Sequence, residues 1–282
     1  SWSFVTFSGR KAVLITGGGT LNGADGWIAS RLASNFGLDV TVRADNAVTL
    51  ADAEGAALIF NSSTVNSGNV AGNDFEELIV PLVNVESANV DDFILSDAPP
   101  SFGNGAASGV DGVDITDEDH PMNAGLAAGE QKFSTNMIQY HWAIPPLDSI
   151  VIGRPPGNDG QATIYAIEAG AEMLDDVGEV LFTHPARRVF FGMTGNDGAA
   201  SYTEIGVKLF DAAITWVLGS AVPEGEVEVT DLAVGEDVRI SFTTPVPDSE
   251  HVLQRATDLQ DWSVDISATL TQEGDSFQFA AA

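Results

Sequence analysis

Gly17 and Gly19 are spaced as in a dinucleotide-binding loop, where backbone N–H groups cradle a pyrophosphate at a helix start. The third glycine of that fingerprint is missing. Asn22 holds its position, and Gly23 comes one residue late. The competing reading of Gly17-Gly18-Gly19 is a strand-to-helix turn on a cleft rim. There Gly18 and Gly19 would meet a ligand by their amides without implying a phosphate. The four histidines, His120, His141, His184 and His251, show neither H-x-H nor H-E-x-x-H spacing, so no histidine metal centre is expected. With no cysteine, disulfides, thiolate zinc sites and thiol nucleophiles are all excluded. Ser62, Ser63 and Ser87 carry hydroxyls that could attack a carbonyl. None lies in G-x-S-x-G, and strand-end hydroxyls commonly satisfy loop backbone instead.

Acidic residues outnumber basic ones 41 to 11 in 282 residues, a formal charge of -30. Such a surface repels nucleic acid and anionic membranes, and disfavours a polyphosphate ligand without a cation. The carboxylates are scattered, as on a solvated acidic surface. Calcium is the sharper alternative, but Asp111, Asp114, Asp117, Glu118 and Asp119 have no calcium-loop spacing, so no cofactor is expected. No apolar run reaches the roughly 18 residues of a membrane span. The sequence opens on Ser1 rather than Met, which reads either as a processed N-terminus or as an arbitrary boundary, with any signal already removed. An extracellular or cell-surface location is expected, with the periplasm second.

Up to residue 219 short apolar runs alternate with amphipathic stretches, the signature of βαβ units. Strands are expected at Lys11 to Thr16, Val40 to Val42, Ala56 to Asn61 and Ile79 to Val85. Further strands are expected around Ser149 to Gly153, Ala162 to Glu168, Glu179 to Phe182 and Arg188 to Met193. Helices are expected at Asp25 to Phe36, ended by Gly37, in a short piece at Phe75 to Leu78, and at Thr203 to Leu218. Asp97 to Asp119, rich in Gly, Ala, Ser and Asp, reads as a long surface loop. From Pro223 the pattern turns to period two, with strands at Val227 to Leu232, Val238 to Thr243, His251 to Arg255, Trp262 to Leu270 and Phe277 to Phe279. The expected fold is therefore an α/β domain over 1–219 and a small all-β domain over 220–282.

The strand–glycine loop, "AALIFNSSTVNSG", "IVPLVNVESANVDDF", "DEDHPMNAGL", "RRVFFGMTGND" and "FDAAITWVLG" together resemble the class I glutamine amidotransferase-like superfamily. The trehalose-utilisation-like branch is the most similar, over roughly residues 10 to 219. The resemblance implies a flavodoxin-like parallel sheet flanked by helices, with its site at the carboxyl ends of the strands. It also implies a cysteine nucleophile at the elbow after "PLVNVES", but here that position falls at Glu86, followed by Ser87. The family's histidine is absent from Phe190-Phe191-Gly192-Met193-Thr194. Cysteine-dependent acyl transfer is therefore not expected. Glu86 becomes the candidate general base, with Ser62, Ser63, Ser87, Asn196 and Asp197 as candidate ligand-binding residues. Glu86 could equally pair with Arg154 or Arg187, or cap the next helix. His120, in Asp119-His120-Pro121, reads as structural.

"VEVTDLAVGEDVRISFTTP" and "HVLQRATDLQDWSVDI" are similar to a β-sandwich module at the ends of secreted bacterial proteins. That module normally closes with one more aromatic and arginine-containing strand, whereas here the sequence stops at Ala282. The tail is either cut, or it leaves an edge open to strand addition from a partner. Trp262 reads as core rather than as a sugar platform. The leading expectation is a secreted, non-catalytic binding or self-assembling structural protein on a degenerate enzyme scaffold. The alternative is a carbohydrate-directed hydrolase or isomerase using Glu86 as base.

Overall fold

The structure, a computed structural model, describes residues 10–96, 103–117, 119–174, 179–194 and 201–219, and beyond these the backbone of six strands between 228 and 280. Contacts divide the chain into two compact units, with Lys11–Gly219 taken as the first.

In the first unit β1 (Arg10–Thr16) is buried from Ala12 to Thr16, the continuous apolar run of a strand covered on both faces. It leads through Gly17–Gly19 into α1 (Gly23–Phe36). The Asn22 side chain caps that helix by accepting the Asp25 N–H at 2.8 Å, and Gly37, at φ 60°, ends it in the left-handed conformation. There follow β2 (Leu38–Ala44), α2 (Leu50–Ala53), β3 (Leu58–Asn61), α3 (Ser67–Val70) and β4 (Leu82–Asn84). The strand expected from Ile79 starts later, because Pro81 offers no amide and Ile79 is 83% exposed.

The expected loop at 97–119 is corrected. Of its described part, Asn104–Val110 is β5 and Gly112–Ile115 is β6. Small residues there signal close packing rather than a loop, since a Cβ on Gly105 would come 2.8 Å from the Trp142 ring. After it run β7 (Gly129–Lys132), β8 (Ile138–Ala143), β9 (Ile150–Arg154), β10 (Ile164–Ile167), β11 (Glu172–Leu174), β12 (Val180–Thr183), β13 (Arg188–Phe191) and α4 (Glu204–Val217). Thr203 caps α4 by accepting the Gly206 N–H.

Nine strands form one sheet in the order β2-β1-β3-β4-β13-β10-β9-β6-β7. Its first five places follow the flavodoxin-like order. β1, β3, β4 and β13 pair parallel, but β10, β9, β6 and β7 continue antiparallel, so the sheet is mixed rather than parallel throughout. Side chains alternate between two cores. On one face α1 and α4 cover Leu14, Phe60 and Phe191, with Phe210 lying 5.1 Å from Trp27 and 5.7 Å from Phe191. Val13, Ile15, Leu82 and Phe190 point to the other, where Phe75 and Phe93 pack. β5 and β8 make a separate antiparallel ribbon, and β11 and β12 a separate hairpin.

The second unit holds β14 (Glu228–Val234), β15 (Val238–Thr243), β16 (Gln254–Ala256), β17 (Trp262–Val264), β18 (Thr269–Glu273) and β19 (Ser276–Ala280). Four of them form an antiparallel sheet, β14-β15-β19-β18, and β16 and β17 a separate pair. The run expected at Trp262 to Leu270 thus divides between two strands. The Trp262 side chain lies outside the described residues. Among the described residues no helix is long and apolar enough to cross a membrane.

Candidate functional site

Parallel strands gather their functional loops at their carboxyl ends. Here the loops after β1, β2, β3 and β4 meet through a polar network rather than around free groups. The Gly17 N–H donates to Thr64 Oγ1 at 3.1 Å, and the Gly18 N–H to Asp45 Oδ1 at 3.2 Å. A Cβ on Gly17 would sit 2.3 Å from the Thr64 carbonyl oxygen, so the loop after β3 closes directly over the glycine turn. Gly18 and Gly19 have φ of 65° and 71°, which their lack of a Cβ permits. Asp45, at the end of β2, also accepts the N–H groups of Asn46 and Asn66 and the Asn69 amide. Desolvation pushes its carboxyl up, but these donors together hold it below the usual carboxylate range.

Ser62 donates its hydroxyl to Asp25, and Thr64 Oγ1 donates to the other oxygen of that carboxylate at 2.9 Å. Asp25 is buried in the first turn of α1. Burial raises its pKa, against the pull of the two hydroxyls. The Ser62 amide is bonded to the Ile15 carbonyl. Ser63 is half-buried in the same turn.

After β4 the chain takes no strained elbow. Glu86 is extended (φ -84°, ψ 117°) and enters the short 3-10 turn Ser87–Asn89. Three buried asparagines hold it there. Asn84 Oδ1 accepts the Glu86 N–H at 3.1 Å, and the Asn84 amide donates to the Glu86 carbonyl at 2.9 Å. Asn61 donates to Asn84 Oδ1 and Asn89 Oδ1. Asn89 ties the turn to the Ser67 carbonyl and Asp92. Glu86 Oε1 caps the turn by accepting the Ala88 N–H at 2.9 Å. It pairs with neither arginine: Arg187 is engaged by Glu168, and Arg154 by the carbonyls of Asp159 and Gln161.

The residue that completes the cluster is His141, 5% exposed, on β8. Its Nδ1 lies 3.0 Å from the Ser87 N–H nitrogen, 3.0 Å from Ser87 Oγ and 3.5 Å from Glu86 Oε1. A backbone N–H can only donate, so Nδ1 is the acceptor and the neutral ring carries its proton on Nε2. The Glu86 contact is then not an ion pair. Ser87, itself 4% exposed, has its hydroxyl 3.0 Å from the same nitrogen and donates it to Glu86 Oε1 at 3.5 Å. The hydroxyl and imidazole have the separation of a nucleophile and its base. The Ala88 N–H, the nearest donor for an oxyanion, is however held by Glu86.

Gly192, just past β13, makes this placement of His141 possible. A Cβ there would sit 2.1 Å from the His141 carbonyl oxygen. Gly192→Ala is therefore expected to destabilise the unit by about 1–3 kcal/mol, measured by urea unfolding, and to shift the His141 ring signals.

No protein-family model matches the sequence, and neither does any curated protein. Solved structures are similar in fold. One, described as a GMP synthase component from Thermoplasma acidophilum, is 14% identical, covering 75% of this chain and 95% of its own, with a TM-score of 0.41. PurLQS from Thermotoga maritima is 12% identical over 73% of this chain and 97% of its own, with a TM-score of 0.42. A protein from Bacteroides uniformis described as ThuA-like is 11% identical over 77% and 94%, with a TM-score of 0.44. These scores reflect a general likeness of chain path, and the chemistry below rests on this chain's own side chains.

Glu86 and Ser87 thus sit in one cluster, while Ser62 belongs to the hydrogen-bond system of Asp25, Gly18 to that of Asp45, and Gly19 lies close against Ala44. Asn196 and Asp197 lie outside the described residues. Sequence reasoning missed His141, Asp25, Asp45 and the asparagine trio. A polar residue closing each buried strand, Asn61 after "LIF" and Asn84 after "LV", was the available signal. His120 caps the 3-10 turn Pro121–Asn123 by accepting the Met122 N–H and packs on Trp216, while burial lowers its pKa. Among the described residues no three His, Asp or Glu side chains converge as metal ligands.

Proposed function

We propose that this chain is a non-catalytic binding or self-assembling structural protein of the cell exterior, built on a degenerate amidotransferase-like scaffold and followed by a β-sandwich module. The observation that carries the reading is the closed end of β4. The polar groups a reaction would need there, Glu86, the Ser87 hydroxyl and the Ala88 amide, are bonded to one another or to buried His141. A charge of -30 suits a surface exposed to salt. Strand addition at the edges β14 and β18 is the proposed mode of assembly.

Like charges oppose such assembly until screened. Sedimentation of the purified chain should therefore show larger species that grow with protein concentration and with salt. A monomer under all these conditions would overturn the assembly reading.

The 3.0 Å contact of Ser87 with His141 favours a second reading, serine-dependent hydrolysis, over the use of Glu86 as a base on a carbohydrate. A fluorophosphonate probe separates the readings. The first predicts no labelling at Ser87; labelling that His141→Gln abolishes would establish the second.

A further inference from the structure

The nitrogen of the neutral His141 ring that carries no proton is Nδ1, which faces the end of β4 and accepts the Ser87 N–H there. We propose that Glu86, Ser87 and His141 form a proton-operated latch, in which protonation of His141 at Nδ1 ejects the Ser87 N–H and draws Glu86 off the Ala88 amide. In the neutral state Nδ1 takes the Ser87 N–H at 3.0 Å, the Ser87 hydroxyl lies 3.0 Å from the same nitrogen and donates to Glu86 Oε1 at 3.5 Å, and Glu86 caps the turn through Ala88 at 2.9 Å. Because Nε2 already carries a proton, the next must enter at Nδ1. That single addition reverses three contacts. The Ser87 N–H then confronts another donor, the hydroxyl can only accept from the ring, and the carboxylate 3.5 Å away becomes the natural partner of the imidazolium.

Among the described residues, the elements packed most extensively against β8 are β5, the turn Ser87–Asn89 and the turn Gly192–Thr194, and none of these carries a titratable side chain. Glu86, at the head of the first turn, is among the described residues the titratable group in contact with the ring. Asp92, further along the chain, is engaged by Asn89. The parts that move are correspondingly few. Asn84 holds the Glu86 backbone on both sides, so the carboxylate can change partner while its own peptide stays in place. When it leaves, the N–H groups of Ser87 and Ala88 stand side by side without acceptors, open to water or to a small carboxylate or other oxyanion.

The test is a titration of the whole chain by nitrogen-15 NMR from about pH 8 to about pH 5, the range in which imidazoles change charge. The His141 ring should show Nδ1 unprotonated at the alkaline end and protonated at the acid end. The Ser87 and Ala88 amide signals should step with the same midpoint, and Ala88 should lose protection from hydrogen exchange. In Glu86→Gln the ring signals should still change, while the Ala88 step disappears. In His141→Gln both steps should be lost. A proton on Nδ1 at the alkaline end, or Ser87 and Ala88 signals that do not follow the ring, overturns the latch. If His141→Gln fails to fold, as circular dichroism would report, wild type and Glu86→Gln decide the matter. The latch stands on this geometry alone, so its failure leaves the assembly reading intact, and a strictly monomeric chain leaves the latch intact.

Discussion

Replacing Arg188 by methionine should lower the stability of the α/β unit by about 4 kcal/mol, with the urea midpoint falling and the slope unchanged. Arg188 opens β13 and is fully buried. Its guanidinium Nη1 donates to the carbonyls of Val80 and Arg187, and Nη2 to those of Glu76 and Leu78, at 2.6 to 3.3 Å. Burial lowers its pKa to about 10, so the group is still a cation at neutral pH. Methionine fills much of the volume but leaves these carbonyls without their donor, each costing about 1–3 kcal/mol. Relief of the arginine's own desolvation offsets part of that loss. Lysine should not rescue, because a single ammonium cannot span acceptors met by two separate nitrogens. The damage should extend to the site, since the carbonyls of residues 76 to 80 lead into β4 and so to Glu86. If Arg188→Met unfolded like wild type, the loop before β4 would have to be held by its apolar contacts alone.

Stability should also fall by about 3 kcal/mol between pH 6.5 and pH 4 on account of His184. This ring is buried at the base of the β11–β12 hairpin, edge-on to Phe182, with Nδ1 unpartnered among the described residues. Burial first, and the Arg188 charge second, lower its pKa from 6.5 to about 4. Above pH 6.5 the ring is neutral folded or unfolded, and its contribution is intact. As pH falls below 6.5 the unfolded chain takes a proton that the fold refuses, and stability drains until the folded ring also titrates near pH 4. His184→Phe keeps the ring contact and removes the titration. The difference between wild type and variant, followed by urea unfolding at successive pH values, should open over that window and level off below it. Asp45 and Asp52, whose pKa values are lowered, lose their contributions further down, around and below the usual carboxylate range. Arg188→Met should in turn weaken the acid sensitivity of His184, a coupling that independent sites would not show.

The parallel half of the fold was legible in the sequence because buried strands read as apolar runs and helices as three-to-four spacing. β1, α1, β3, β13 and α4 are all of this kind. β5 was not, since its sequence, NGAASGV, is that of a loop. Only its pairing with β8, and the Trp142 ring above Gly105, make a strand of it. The candidate site divides in the same way. Glu86 and Ser87 could be placed because they end a recognisable strand, whereas His141 comes from a ribbon 54 residues further along the chain from Ser87. No local period encodes a contact over that distance. Asp45 escaped for a related reason, its partners lying in three separate segments.

The Asp45 carboxylate in the glycine loop has one more consequence. It is a ligand tethered to its own receptor, held in place by four N–H groups, and any incoming phosphate would compete with it at a very high effective concentration. The displaced carboxylate would also have to be left near a second negative charge. The near-miss glycine fingerprint is thus a receptor already saturated from within, and it fastens β1, β2 and the loop after β3 to one another as an internal rivet.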